Sequence, residues 1–391
     1  MSNQLLRERA SDQMHEMLEA THKSGASDLF ISAGFPPSVK IHGVMRPLSK
    51  QKLAPEEAEA YALSIMDRKQ QDDFALEKEC NFAIDLGFSR FRVNVFVQKQ
   101  RTGMVIRTIP TEIPSFEKLK LPPILKEIIM AKRGLVLMVG SSGSGKSTSL
   151  ASMIDYRNAQ TTGHIITIED PVEYVHESNN CLVTQREIGV DTHSWNHALK
   201  NALRQAPDVI LIGEIRDTET MDQAISFAES GHLCLVTLHA TNANQTFDRI
   251  INFFPEERRQ QLLMDLSANI NAVISQRLII AEDGTRRVAA EILLNTPTIA
   301  EMILKGQFQN IKEMMTKSRE LGMQTFDQAL VDLHFEGAIS HDEAIRNADS
   351  KNEVRLNIKH KVQREESAAA AVAAAESSKA HLRRTVHPGK L

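Results

Sequence analysis

Apolar positions recur at helical spacing early in the chain. Met14, Met17 and Leu18 predict a helix over 12–26 that Gly25 stops. A short strand is expected at Leu29-Phe30-Ile31, a turn at Gly34-Phe35-Pro36-Pro37, and an alternating strand over 38–42. Residues 55–78 read as one helix with Pro55 near its start. Strands are expected at 81–86, 89–98 and 103–109, after which Pro110, Pro114, Pro122 and Pro123 punctuate a linker. From Gly134 the rhythm changes. The apolar runs Leu135–Val139, Ile165–Ile168, Val209–Ile212 and Leu233–Leu238 alternate with helical stretches, the pattern of a parallel sheet covered on both faces. Helices are expected to dominate after about 255. The fold class is therefore α/β. The expected organisation is an N-terminal module over 1–110, a linker and start of the next domain over 111–133, a main domain over 134–350, and a mobile low-complexity tail over 351–391.

Composition narrows the class. The 391 residues are 42% apolar and 25% charged, ordinary for a globular protein. A net charge of −4 with a pI of about 6.4 gives no general attraction to nucleic acid or acidic lipid. Cys80, Cys181 and Cys234 form no CxxC pair and no zinc spacing, which fits a reduced cytosolic compartment. No run approaches the ~20 apolar residues of a membrane span, and the N-terminus has no signal-peptide core. Membrane contact is expected only through a partner.

Gly140-Ser141-Ser142-Gly143-Ser144-Gly145-Lys146-Ser147, followed by Thr148, fits the phosphate-loop pattern GxxxxGK[ST] between a strand and a helix. Glycines let backbone N–H groups turn inward around phosphate, and the helix N-terminus adds its dipole. Lys146 brings a charge to the β and γ phosphates of ATP, and the Ser147 hydroxyl suits Mg²⁺. Two strands end in carboxylates, Glu169-Asp170 and Glu214 with Asp217, at the end of a parallel sheet where ligands bind. Such acids can hold Mg²⁺ or orient an attacking water, while Asp170 and Asp217 equally suit helix caps or loop charges. His239 follows a strand end and can face the same crevice, or serve as a structural hydrogen-bonder. Over 89–95, Arg90, Arg92 and Asn94 share one strand face, opposite Phe91, Val93 and Val95, with Arg101 and Arg107 close by in sequence. That positive face suits an anion, or a solvated surface with local ion pairs.

Five motifs in order carry a resemblance over roughly residues 10–350. They are Gly25-Ala26-Ser27-Asp28-Leu29 with Pro36-Pro37, Ile166 to Tyr174 (ITIEDPVEY), Pro207 to Asp217, Gly231 to His239, and Gly322 to Leu330 (GMQTFDQAL). The chain resembles the PilT/PilU family of type IV pilus retraction ATPases within the secretion ATPase superfamily. The resemblance implies a PAS-like N-terminal domain, a RecA-like P-loop ATPase domain with a helical C-terminal part, and a homohexameric motor for pilus retraction and twitching motility at the cytoplasmic face of the bacterial inner membrane. By it, Glu214 is the principal catalytic carboxylate and Glu169 assists at water or Mg²⁺, partly through water. His232 and His239 sense or line the phosphate site, and Arg90, Arg92 and Arg107 are candidates for arginine fingers. An inner-membrane pilus platform protein is the implied partner, with no nucleic acid.

Two departures favour the PilU-like branch. Retraction motors carry an AIRNLI-type motif, whose arginine is here Ala300 within Thr298-Ile299-Ala300-Glu301-Met302-Ile303. The family's early SDLH reads Ser27-Asp28-Leu29-Phe30. The expectation is a motor accessory to a sister retraction ATPase. The rival readings are a non-motor scaffold ring and an extension or type II secretion ATPase, the latter disfavoured by the missing tetracysteine motif. A nucleic-acid translocase is a further rival, disfavoured by the acidic pI.

Overall fold

The computed structural model describes residues 3–364 other than 42 and 111. Six strands lie before the linker: β1 (Asp28–Ser32), β2 (Ser38–Ile41), β3 (Val44–Pro47), β4 (Glu79–Asp85), β5 (Arg90–Gln98) and β6 (Arg101–Ile109). Seven follow it: β7 (Gly134–Val139), β8 (Gly163–Glu169), β9 (Cys181–Glu187), β10 (Val209–Ile212), β11 (Leu233–Leu238), β12 (Ile270–Ile280) and β13 (Arg286–Leu294). The described residues divide into two compact units, those up to 115 with 154–213, and 116–153 with those from 214 on.

The first unit holds an antiparallel sheet in the order β3-β2-β1-β6-β5-β4. β5 alternates as its sequence predicts: Phe91, Val93 and Val95 are buried with Leu29, Ile31, Met104 and Ile106. Against these pack Met14 and Leu18 of the helix Asn3–Lys23, which starts earlier than the expected 12–26 and ends ahead of Gly25, where φ is +65°. The single helix expected over 55–78 is two, Pro55–Ser64 and Arg68–Glu77. Asp67 explains the break, because its carboxylate accepts the Gln70 backbone N–H at 2.8 Å and restarts the helix with a capping box. The same unit contains the parallel ladder β10-β8-β9. β9 escapes a sequence reading, because Cys181-Leu182-Val183-Thr184-Gln185-Arg186-Glu187 lacks a continuous apolar run.

In the second unit β7 lies between β11 and β12, parallel to both, and β13 pairs antiparallel with β12. This hairpin interrupts the helical stretch expected beyond 255: eleven residues of β12 and nine of β13 separate the helix Arg259–Asn269 from the C-terminal helices. Residues 351–364, expected as the start of a mobile tail, are helical. Val354 and Ile358 are buried there with Phe326, Leu330 and Ile345. The rest of the expected tail lies outside the described residues. The chain is the mixed α/β protein expected, with a parallel sheet, a phosphate loop and a helical C-terminal part.

Candidate active site

In the second unit, β7 is buried along its whole length and ends at Val139, and the helix Lys146–Gln160 begins seven residues later. The loop between them turns through Gly143 at φ +74° and Gly145 at φ +87°, conformations that cost other residues energy. Crowding adds a second requirement: a Cβ on Gly140 would stand 2.7 Å from the Gln276 carbonyl oxygen, and one on Gly145 2.7 Å from Gln276 Nε2. The loop thus leaves a cradle of backbone at a helix N-terminus, suited to phosphate. The Lys146 ammonium donates to the Gly140 carbonyl at 2.8 Å and the Ser141 carbonyl at 3.0 Å, across the mouth of the loop. Beside the loop a cavity of about 420 Å³ is lined by Gly145, Thr148 and Ser149 together with Lys118, Lys120 and Arg286.

β11 runs beside β7 in register, Val139 opposite Leu238, so His239 emerges level with the start of the phosphate loop. Its Nε2 lies 3.1 Å from Glu214 Oε1. Arg216 donates to Glu214 Oε2 through Nε at 3.0 Å and Nη2 at 2.8 Å. Burial alone would raise the Glu214 pKa. The Arg216 hydrogen bond and the charges of Arg216, His239 and Lys146 outweigh it and hold the carboxyl below the usual range. Glu214 is thus an ionised acceptor at neutral pH within the field of the loop lysine. Asp217 is an N-cap, accepting the Thr220 N–H at 2.8 Å.

His232 is placed differently from expectation. It precedes β11, with Leu233 opposite Gly134, at the far end of the strand from the loop. The five-residue advance from Gly134 to Val139 sets the two ends of the strand about 17 Å apart. Its Nδ1 contacts Ser230 Oγ at 3.0 Å and the Phe227 carbonyl at 3.2 Å, closing the turn into the strand.

In the first unit, Glu169 ends β8 and accepts from Thr167 Oγ1 at 2.7 Å and Gln185 Nε2 at 3.2 Å. Burial raises its pKa against those bonds. Asp170 precedes Pro171 and is exposed. Arg90 reaches Glu187 Oε2 at 3.4 Å, and Glu187 also accepts the Val172 N–H at 3.2 Å. Arg92 stands directly opposite Arg107 in the β5–β6 register, and Arg107 donates to Asp28 at 2.9 Å. The structure therefore sets two arginines separated by fifteen positions side by side in one patch, where Arg107 is paired with Asp28 as Arg90 is with Glu187.

Sequence reasoning missed Gln276. It is 1% exposed, its Oε1 accepts from Ser149 Oγ at 2.7 Å, and its Nε2 donates to the Ser144 carbonyl at 2.8 Å. No signal in the sequence links it to a loop some 130 residues earlier, because the contact depends on β12 lying against β7.

The chain matches the family described as Type II/IV secretion system protein over residues 7–379. It is 54% identical over 349 residues to the type IV pilus ATPase PilU of Pseudomonas aeruginosa, covering 89% of this chain and 91% of that protein. It is 43% identical over 330 residues to the type IV pilus retraction ATPase PilT of the same organism, covering 84% and 96%. Its fold is similar to a crystal structure of the pilus retraction motor PilT with bound ADP, at a TM-score of 0.81 and 39% identity, covering 86% and 97%.

Proposed function

The chain belongs to the Type II/IV secretion system protein family, in its PilT/PilU group of type IV pilus retraction ATPases, and from that premise we propose how its residues carry out ATP hydrolysis. The observation that carries the reading is Glu214, an ionised carboxylate held by Arg216 and His239 in the field of Lys146. The backbone of Gly140–Gly145 and the Lys146 ammonium bind the β and γ phosphates, and the cavity beside Thr148 and Ser149 takes the nucleoside. The oxygen donors Ser147 and Glu214 suit Mg²⁺, which when bound neutralises phosphate charge. Glu214 orients the attacking water and accepts its proton, and His239 fixes the carboxylate's rotamer. Glu169 assists from β8, its raised pKa fitting a group that exchanges a proton. Arg92 supplies positive charge to the transition state of bound nucleotide, a role that Arg107 and Arg90 share less through their Asp28 and Glu187 ion pairs.

The finer reading is a homohexamer, accessory to a sister retraction ATPase and acting on an inner-membrane platform protein. The support for the accessory role is Ala300, in the helix Pro297–Leu304, where the retraction motif carries arginine. An arginine there would offer a fork of donors that alanine lacks. No helix among the described residues is long and apolar enough to cross a membrane, so the reading places membrane contact on a partner. A separate core spanning Ala10 to Ile106 supports the 1–110 module, and the packing of Val354 and Ile358 extends the 134–350 domain into the next helix. The test is pilus retraction in cells carrying this ATPase with a catalytically dead sister, and in cells lacking the sister. Retraction in the first strain alone is expected, and normal retraction in the second would refute the accessory role.

A further inference from the structure

The strand β12 lies beside the phosphate-loop strand, and successive residues of a strand face opposite sides. On one side Gln276 enters the phosphate loop. Its amide uses both ends there, accepting from Ser149 Oγ at 2.7 Å and donating to the Ser144 carbonyl at 2.8 Å. Ser149 is 1% exposed, so water cannot replace either bond cheaply. The Gln276 amide also stands 2.7 Å from where a Cβ on Gly145 would lie. On the other side, Arg277 reaches the segment that follows His239. Its Nη2 donates to the Thr241 carbonyl at 3.4 Å and lies 2.8 Å from Asp349 Oδ1. Its Nη1 donates to the Asn347 carbonyl at 3.1 Å, and the guanidinium stacks 3.9 Å above the Phe326 ring. Thr241 is two residues beyond His239, and Asn242 caps the helix Ala243–Phe253 that follows.

We infer that two adjacent side chains of β12 position different halves of the reaction, Gln276 the phosphate loop that binds nucleotide and Arg277 the His239 segment that serves Glu214. Both are positioning residues, and the inference rests on the roles given above to the loop and to His239. A planar fork with four simultaneous contacts, one of them aromatic, is a task for arginine that lysine cannot reproduce. An amide that both donates and accepts is likewise not replaced by an apolar chain of equal size.

The experiment uses the full-length protein. ATP turnover is followed by phosphate release, affinity by titration with a methylanthraniloyl-labelled ATP, and folding by thermal melting. Gln276→Met, which keeps volume and removes both hydrogen bonds, should raise KM and the labelled-ATP Kd about tenfold while kcat stays within about threefold. Arg277→Lys should lower kcat about tenfold with KM within about twofold. If Gln276→Met does not fold, Gln276→Glu keeps the acceptor for Ser149, loses the donor to Ser144, and should show the same split. Both variants moving the same parameter, in step with equal losses of melting temperature, would reduce β12 to packing and overturn the inference. Unchanged nucleotide affinity in the Gln276 variants, or unchanged kcat in Arg277→Lys, would do so as well. A wild-type protein that neither binds the labelled nucleotide nor hydrolyses ATP would instead overturn the functional reading on which this rests.

Discussion

Replacing Glu214 by Gln changes one atom type and one charge at the centre of the proposed chemistry. In the structure its two oxygens are divided, Oε1 toward His239 at 3.1 Å and Oε2 toward two Arg216 nitrogens at 3.0 and 2.8 Å. The amide oxygen can still accept from Arg216, and its NH₂ group then faces His239 Nε2, which can accept only when the ring proton sits on Nδ1. The variant therefore loses the base and the field that aligns the water together. A positioned general base contributes about 10²–10⁴ in rate, so kcat should fall by at least about 10². The side chain is 21% exposed, so its ion pairs are partly screened and the melting temperature should move little. Nucleotide affinity should hold, because the loop and Lys146 are untouched. Phosphate release and a labelled-ATP titration on the same preparation separate the two quantities. A pH profile adds a signed check. A carboxyl whose pKa is depressed in the folded protein stays ionised above that lowered value, so wild-type turnover should persist through the ordinary carboxylate range and fail only below it. Turnover within threefold of wild type in Glu214→Gln, at unchanged affinity, would refute the assignment of base to Glu214 and pass the role to Glu169.

Lys146→Ala should abolish detectable hydrolysis and weaken labelled-ATP binding without lowering the melting temperature appreciably; turnover at the wild-type rate would remove the loop from the mechanism. Arg92→Ala should lower kcat by about 10³ with little change in nucleotide affinity if its charge acts on the transition state. Arg107→Ala should do less and also cost stability through the loss of its Asp28 bond, and Ala variants with unaltered kinetics would make the patch a solvated surface. Burial raises the pKa of Glu291 to about 7, against the Ala243 N–H bond and with Asp349 and Lys312 near it. A carboxyl raised in the folded state stabilises below its unfolded pKa, and that contribution is lost as pH rises toward the folded one. Wild-type stability in urea should therefore drop between about pH 4.5 and 7 by a few kcal/mol from this group, and Glu291→Gln should flatten that slope. Parallel slopes for the two proteins would show that Glu291 is not the source.

What was legible in the sequence was local. The phosphate loop announces itself because glycines, lysine and serine act within eight consecutive positions, between an apolar strand and a helix. β5 could be assigned its faces from alternation alone, while Asp217 stayed open between a cap and a site carboxylate until the structure placed it ahead of the helix Thr218–Glu229. Glu214 stood out as a candidate because it follows closely on the apolar strand Val209–Ile212, and ligands bind beyond the C-terminal ends of parallel strands. Tertiary structure decided whatever depends on register or on partners distant in sequence. Asp67 split a helix that apolar spacing made continuous, since its cap outweighs a pattern spanning the break. The two histidines bracketing β11 looked equivalent by motif, but the sheet sends His239 to the phosphate loop and His232 to the opposite end. Arg90 became a partner of Glu187, and Gln276 a support of the phosphate loop, only when strands far apart in the chain came together. A side chain's type and its near neighbours set what chemistry it can perform, but only the packed sheet sets what stands across from it.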